Sequence, residues 1–188
     1  MAFTREQAFQ LIQDHLKSDM LVKHSLATEV IMRHLAGKLG HDVDTWGLAG
    51  LLHDLDYNET KDDMANHGLI TTAVLDALDD PVSEEIKSAI RAHNAENLGL
   101  TRTSPIDLAI TCAETITGLV AATALVYPDK KLASVKPKSV TKRMKEKHFA
   151  QGVNRDHIRL CEQLGFSVDD FAALSIEAMK EISDQLGL

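Results

Sequence analysis

Aromatic residues make up only 4% of this 188-residue chain, with one tryptophan, two tyrosines and five phenylalanines. A core must therefore come mostly from Leu, Ile, Val and Ala. Cysteine is scarce too: Cys112 and Cys161 lie far apart and form no CxxC pair. That excludes a disulfide scaffold and a zinc ribbon and fits a reducing compartment. Positive charge is not in excess, and a formal net charge of −8 argues against a binder of nucleic acid polymers. The stretch Met1-Ala2-Phe3-Thr4-Arg5-Glu6-Gln7 has neither the basic nor the apolar segment of a signal peptide, so a cytoplasmic location is expected. A Ser-His-Asp elbow, a phosphate-cradling glycine loop and an HExxH pair are all missing, which argues against a serine hydrolase, a P-loop enzyme and a zincin.

Strand signals are nearly absent, while helix signals repeat, and the expected fold class is all-α: a single-domain helical bundle over residues 1–188. Thr4 with Gln7 reads as a capping box for a first helix towards Leu16. A second helix is expected over 19–39, ended by Gly40, and a third from Val43 to Leu55. Others follow over Asn66–Leu78, over Glu84–His93 with Ser83 as N-cap, and from Pro105 to Tyr127, where Pro128 stops the run. Shorter helices are expected over 152–163 and 168–185, the latter opened by Ser167.

Between Leu108 and Tyr127 the only charged residue is Glu114. Threonines, a glycine and this central acid favour a core helix of a bundle over a membrane span. A lone buried carboxylate is costly unless a cation or donors meet it, so Glu114 calls for a partner.

Histidines supply candidates. His24, His53, His67 and His93 each fall on the apolar face of a different expected helix, and Asp54 follows His53 directly. One such histidine is ordinarily a core residue bonded to a backbone carbonyl. Four of them, with Asp54 and a stranded Glu114, form the ligand types that iron, manganese, nickel and zinc accept.

The order His24, then His53-Asp54, then the late acid of Cys112-Ala113-Glu114-Thr115 resembles the HD superfamily of metal-dependent phosphohydrolases over roughly residues 20–120. His67-Gly68, and His93 within Ala89-Ile90-Arg91-Ala92-His93-Asn94, resemble the members that hold two metals. The resemblance implies an HD-like core over about 20–127, followed by a basic segment and C-terminal helices over about 128–188. The tail beyond Pro128 resembles extensions of small bacterial HD-domain proteins. It further implies that His24, His53, Asp54 and Glu114 hold a first metal, with Asp54 bridging to a second held by His67 and His93. The family usually has Asp where this chain has Glu114. Asp107, two turns earlier on nearly the same face, is the alternative, but an acid so near a helix start has an ordinary capping role.

The implied activity is hydrolysis of a phosphate ester of a small metabolite or nucleotide, with one or two divalent ions (Fe, Mn, Ni, Zn or Mg) activating water and Asp54 and His53 at the catalytic centre. Arg91, Lys142 and Arg143 are the expected cationic contacts to substrate, although the ordinary reading of the basic segment is a solvated face; Asp56, Tyr57 and Asn58, after the doublet, line the pocket mouth or simply end the helix. The expected partner is a small phosphorylated molecule, with no nucleic acid polymer and no membrane; an oligomer is left open. Two alternatives stand beside this reading: a helical binding module without catalysis, and an HD-type di-iron oxygenase.

Overall fold

A computed structural model describes residues 3–188; Met1 and Ala2, part of the N-terminal stretch considered above, lie outside the described residues. The elements are α1 (Arg5–His15), α2 (Asp19–Leu39), α3 (Val43–Leu52), α4 (Tyr57–Thr60), α5 (Leu69–Asp76), α6 (Glu84–His93), α7 (Ala95–Leu98), α8 (Pro105–Leu125), α9 (Pro137–Arg143), α10 (Arg155–Arg159), α11 (Val168–Lys180) and α12 (Ser183–Leu186). Short 3-10 turns occupy Leu132–Ser134 and Leu160–Leu164, and there is no strand among the described residues.

Local chemistry sets most helix ends. Thr4 and Gln7 form the reciprocal capping box of α1, Ser83 and Ser167 cap α6 and α11, and Gly40 closes α2 in the left-handed region at φ 76°. Ser104 and Asp107 form a second capping box at α8, where Pro105 occupies the first turn. Asp107 thus spends one carboxylate oxygen on the amides of Thr103 and Ser104, at 2.9 and 3.0 Å.

The helix α8 is long and apolar enough to cross a membrane by length and composition, but here it is the axle of the bundle. It packs against α2, α6, α9, α10 and α11, and Ile110, Ile116, Leu119 and Val120 are fully buried. Its threonines meet the cost of burial internally: the hydroxyls of Thr111, Thr115 and Thr123 donate to the carbonyls of Asp107, Thr111 and Leu119 at 2.7–2.8 Å. The region after Pro128 joins the same core, through Leu132, Val140, Ile158, Phe171 and Ile176. Each fully buried side chain of this kind contributes about 1.5–3 kcal/mol.

Two close approaches position the site. A Cβ at Gly50 would lie 3.0 Å from the Thr28 carbonyl oxygen and 3.1 Å from the Glu29 Cα, so the absence of a side chain lets α3 lie directly on α2. Beside that seam, buried Glu29 accepts from Arg5 at 2.6 and 2.8 Å and from Arg33 at 2.9 Å, which ties α1 to α2. Gly68 sits at φ 85° with its absent Cβ 3.1 Å from the Ile90 carbonyl, bringing the turn that carries His67 onto α6.

Candidate metal centre

Helix α3 stops at Leu52, three residues before the expected Leu55, and residues 53–56 form a turn instead. The turn points His53, Asp54 and Asp56 into the protein, and all three are buried. The expected helix over 66–78 likewise begins later, at Leu69, because Gly68 adopts a left-handed conformation; His67 is thereby a turn residue.

Around Asp54 the four imidazoles converge through their Nε2 atoms. His24 and His53 lie 3.5 and 3.4 Å from Asp54 Oδ2, and His67 and His93 lie 3.2 and 3.7 Å from Asp54 Oδ1. The Nε2 atoms pair at 3.1 Å between His24 and His53 and at 2.8 Å between His67 and His93. Two groups able to hold a metal ion result, His24–His53–Asp54 and Asp54–His67–His93, sharing Asp54.

Each Nδ1 is committed elsewhere. The Nδ1–H of His53 donates to the Gly50 carbonyl at 2.8 Å, and that of His93 donates to the Ile90 carbonyl. His67 donates to Asp56 Oδ1 at 2.7 Å, while Asp56 Oδ2 accepts from the amides of Gly68 and Thr71 at 2.8 and 2.9 Å. His24 faces the Thr117 hydroxyl at 2.9 Å; that hydroxyl gives its own hydrogen to the Glu114 carbonyl at 2.6 Å, so it accepts from His24. All four rings therefore turn Nε2 inward, as the nitrogen left for a metal ion or a proton. Such anchoring of the outer nitrogen is the usual support of metal-ligating histidine.

Charge at the cluster is finely divided. Burial lowers His24 to about 4 and holds His93 below its ordinary value. Burial acts in the same direction on His53 and His67, but neighbouring carboxylates outweigh it. Asp54 and Glu114 raise His53, and bonds to Asp54 and Asp56 raise His67 to about 9. Asp54 lies well below the carboxylate range, since the attraction of His53 and the bonds to His67 and His93 overcome its burial. Inward-facing lone pairs at 2.8–3.1 Å repel one another unless a cation or proton lies among them, so the donor set suits divalent metals.

Glu114 lines the same cavity as His24, Asp54, His67 and His93 but belongs to neither group of three. Its Oε1 lies 2.5 Å from the Thr115 hydroxyl oxygen, and burial pushes its carboxyl up to about 7. Asp107 is occupied by the cap of α8 and does not line this cavity.

The expected cationic contacts are not brought to the cavity. Arg91 is paired with Glu84 on the same helix, Arg143 lies over the Phe149 ring at 4.4 Å, and Lys142 is exposed. Tyr57, which follows the doublet in sequence, does line the cavity, and with it stand residues no sequence signal singles out for the site: Asn97, and Gly152, Asn154 and His157 from the C-terminal region. Arg155 holds this return in place by donating to the carbonyls of Glu146, Phe149, Ala150 and Val153. No local pattern announces such a wall.

The family model for the HD domain matches residues 21–116, just over half of the chain and the whole stretch from His24 to Glu114. The chain belongs to the HD-domain family. No curated protein and no solved structure matches it. HD domains are all-helical and generally metal-dependent hydrolases, and here the His-Asp doublet lies at the centre of the two groups able to hold a metal ion. The two cysteines take no part: Cys112 and Cys161 are buried and free, and burial raises both thiols, Cys161 to about 12.

Proposed function

We propose that this HD-domain protein is a metal-dependent phosphohydrolase acting on a phosphate ester of a small metabolite or nucleotide. The observation that carries this reading is the convergence of four Nε2 atoms on one ionised aspartate, with every outer nitrogen anchored. In this reading His24, His53, Asp54 and Glu114 hold one divalent ion, and Asp54, His67 and His93 hold a second. The ions supply water activation near neutral pH and stabilise charge on the phosphoryl oxygens.

The chain's own part is orientation. Asp54 keeps its charge because His53, His67 and His93 attract or bond it, so both of its oxygens would be available to a metal. His53 is fully buried, and the Gly50 carbonyl fixes its ring. Thr117 and Asp56 fix the rings of His24 and His67 in the same way. Pre-set donors of this kind avoid reorganisation when charge develops on a ligand.

The test is metal analysis of the purified protein followed by a phosphoester and nucleotide panel. Bound divalent metal and release of inorganic phosphate are expected, with both lost in His53→Ala and Asp54→Ala. Full metal occupancy with no phosphate released from any member of the panel would falsify the assignment.

A further inference from the structure

The cavity over the cluster, about 590 Å³, has an unusual charge inventory. Its walls carry the carboxylates of Asp54, Glu96 and Glu114, and no lysine or arginine lines it. The nearby guanidiniums are already engaged: Arg102 clamps Glu96 at 2.6 and 2.8 Å, and Arg155 collects backbone carbonyls. Metal charge can match one phosphoryl group. A second would find no lysine or arginine in the lining to meet it.

The wall formed by the C-terminal return carries polar groups. His157 Nε2 is fixed on Glu96 Oε1 at 3.2 Å, which leaves Nδ1 for a ligand. Asn154 uses its side-chain carbonyl to cap α10, accepting from the amides of Asp156 and His157 at 3.0 and 3.4 Å, which leaves its amide N–H groups. Tyr57 and Asn97 add further polar atoms. Beside this cavity runs an apolar groove of about 640 Å³, lined by Met20, Leu125 and Leu186, but of the six candidate ligands only His24 reaches it. A ligand spanning both halves of the cluster must lie in the first cavity, where Asn154 and His157 stand beside Met20, Leu21 and Met64.

We infer that the substrate is a phosphate monoester with a single phosphoryl group on a neutral, hydroxyl-rich leaving group such as a sugar or nucleoside, gripped by His157 and Asn154. Glu96 acts as the positioning residue for His157. This rests on the hydrolase reading above.

Binding to manganese-loaded protein, followed by calorimetry with uncleavable ligands, separates the two ideas. The ligands are inorganic phosphate, a hexose monophosphonate, the matching hexose bisphosphonate and hexylphosphonate. The monophosphonate is expected to bind roughly tenfold more tightly than either the bisphosphonate or hexylphosphonate, the value of about one well-made polar contact. His157→Ala should remove that preference and leave phosphate binding unchanged, and His157→Gln should restore part of it. Asn154→Asp, which keeps the helix cap, should also weaken the hexose ligand. Equal or tighter binding of the bisphosphonate, or a preference for hexylphosphonate, overturns the inference, as does an unaltered preference in the variants. Failure of inorganic phosphate to bind at all overturns the hydrolase reading and this inference with it.

Discussion

Asp56 holds His67: Oδ1 accepts from His67 Nδ1 at 2.7 Å, and Oδ2 accepts from the amides of Gly68 and Thr71. One buried carboxylate thus fixes both a candidate ligand and the turn that carries it. Asp56→Asn is expected to lower affinity at the second metal position by about 10–100-fold, the usual cost of losing such a support. Competition against a metal chelator measures it. An unchanged affinity and stoichiometry would show that His67 is oriented by other means.

Metal affinity should depend on pH through His67. In metal-free protein burial favours its neutral form, but the hydrogen bonds to Asp54 and Asp56 dominate and raise it to about 9, so at neutral pH a proton occupies the nitrogen a metal needs. Binding must displace that proton. Affinity is expected to rise with pH, by up to about tenfold per unit, and to level off near pH 9. Titrations in chelator-buffered metal from roughly pH 6.5 to 9 test the slope. Calorimetry in buffers of different ionisation enthalpy counts the protons released.

Glu114→Gln should act in opposite directions with and without metal. Burial raises the folded-state pKa to about 7, above the unfolded value, so folded protein binds the extra proton and loses stability as pH rises between them. Without metal the glutamine variant escapes that loss and should gain about 3 kcal/mol over the natural chain above pH 7. With metal it should show a smaller rise in Tm. Urea denaturation with chelator at pH 5 and 8, and melting with added manganese, give both readings; an equal metal-induced rise would take Glu114 out of the ligand set.

Gly50→Ala should destabilise the fold by about 1–3 kcal/mol, because the new methyl meets the backbone of α2 rather than a flexible side-chain tip. The Gly50 carbonyl also anchors His53, so metal binding should weaken together with stability. A stability change without any change in metal affinity would separate the seam from the site.

Much of this architecture is legible in the sequence because it is local. Thr4, Ser83, Ser104 and Ser167 announce their helices through side chains that reach only three residues ahead, and Gly40 marks the end of α2. The convergence of His24, His53, His67 and His93 was readable from apolar faces that must meet in a bundle, together with the HD resemblance. The ends of α3 and α5 were misplaced because the turns at 53–56 and at Gly68 are held by Asp56, whose partners lie 11–15 residues away. Arg91, Lys142 and Arg143 looked like substrate contacts by charge alone, whereas pairing and ring stacking decide where two of them point. The Gly152–His157 wall was hidden for a related reason: it depends on Arg155 gathering carbonyls from its own loop and on His157 reaching Glu96, 61 residues earlier.

Arg102 joins three places at once. It forks onto Glu96, donates to the Thr111 hydroxyl at 2.7 Å and to the His93 carbonyl at 3.2 Å. A lysine would preserve the charge but has no planar fork, so it could satisfy only one of these directions well. Arginine-to-lysine exchange, ordinarily a mild change at a protein surface, would here loosen a ligand-bearing helix end and a cavity wall in a single step.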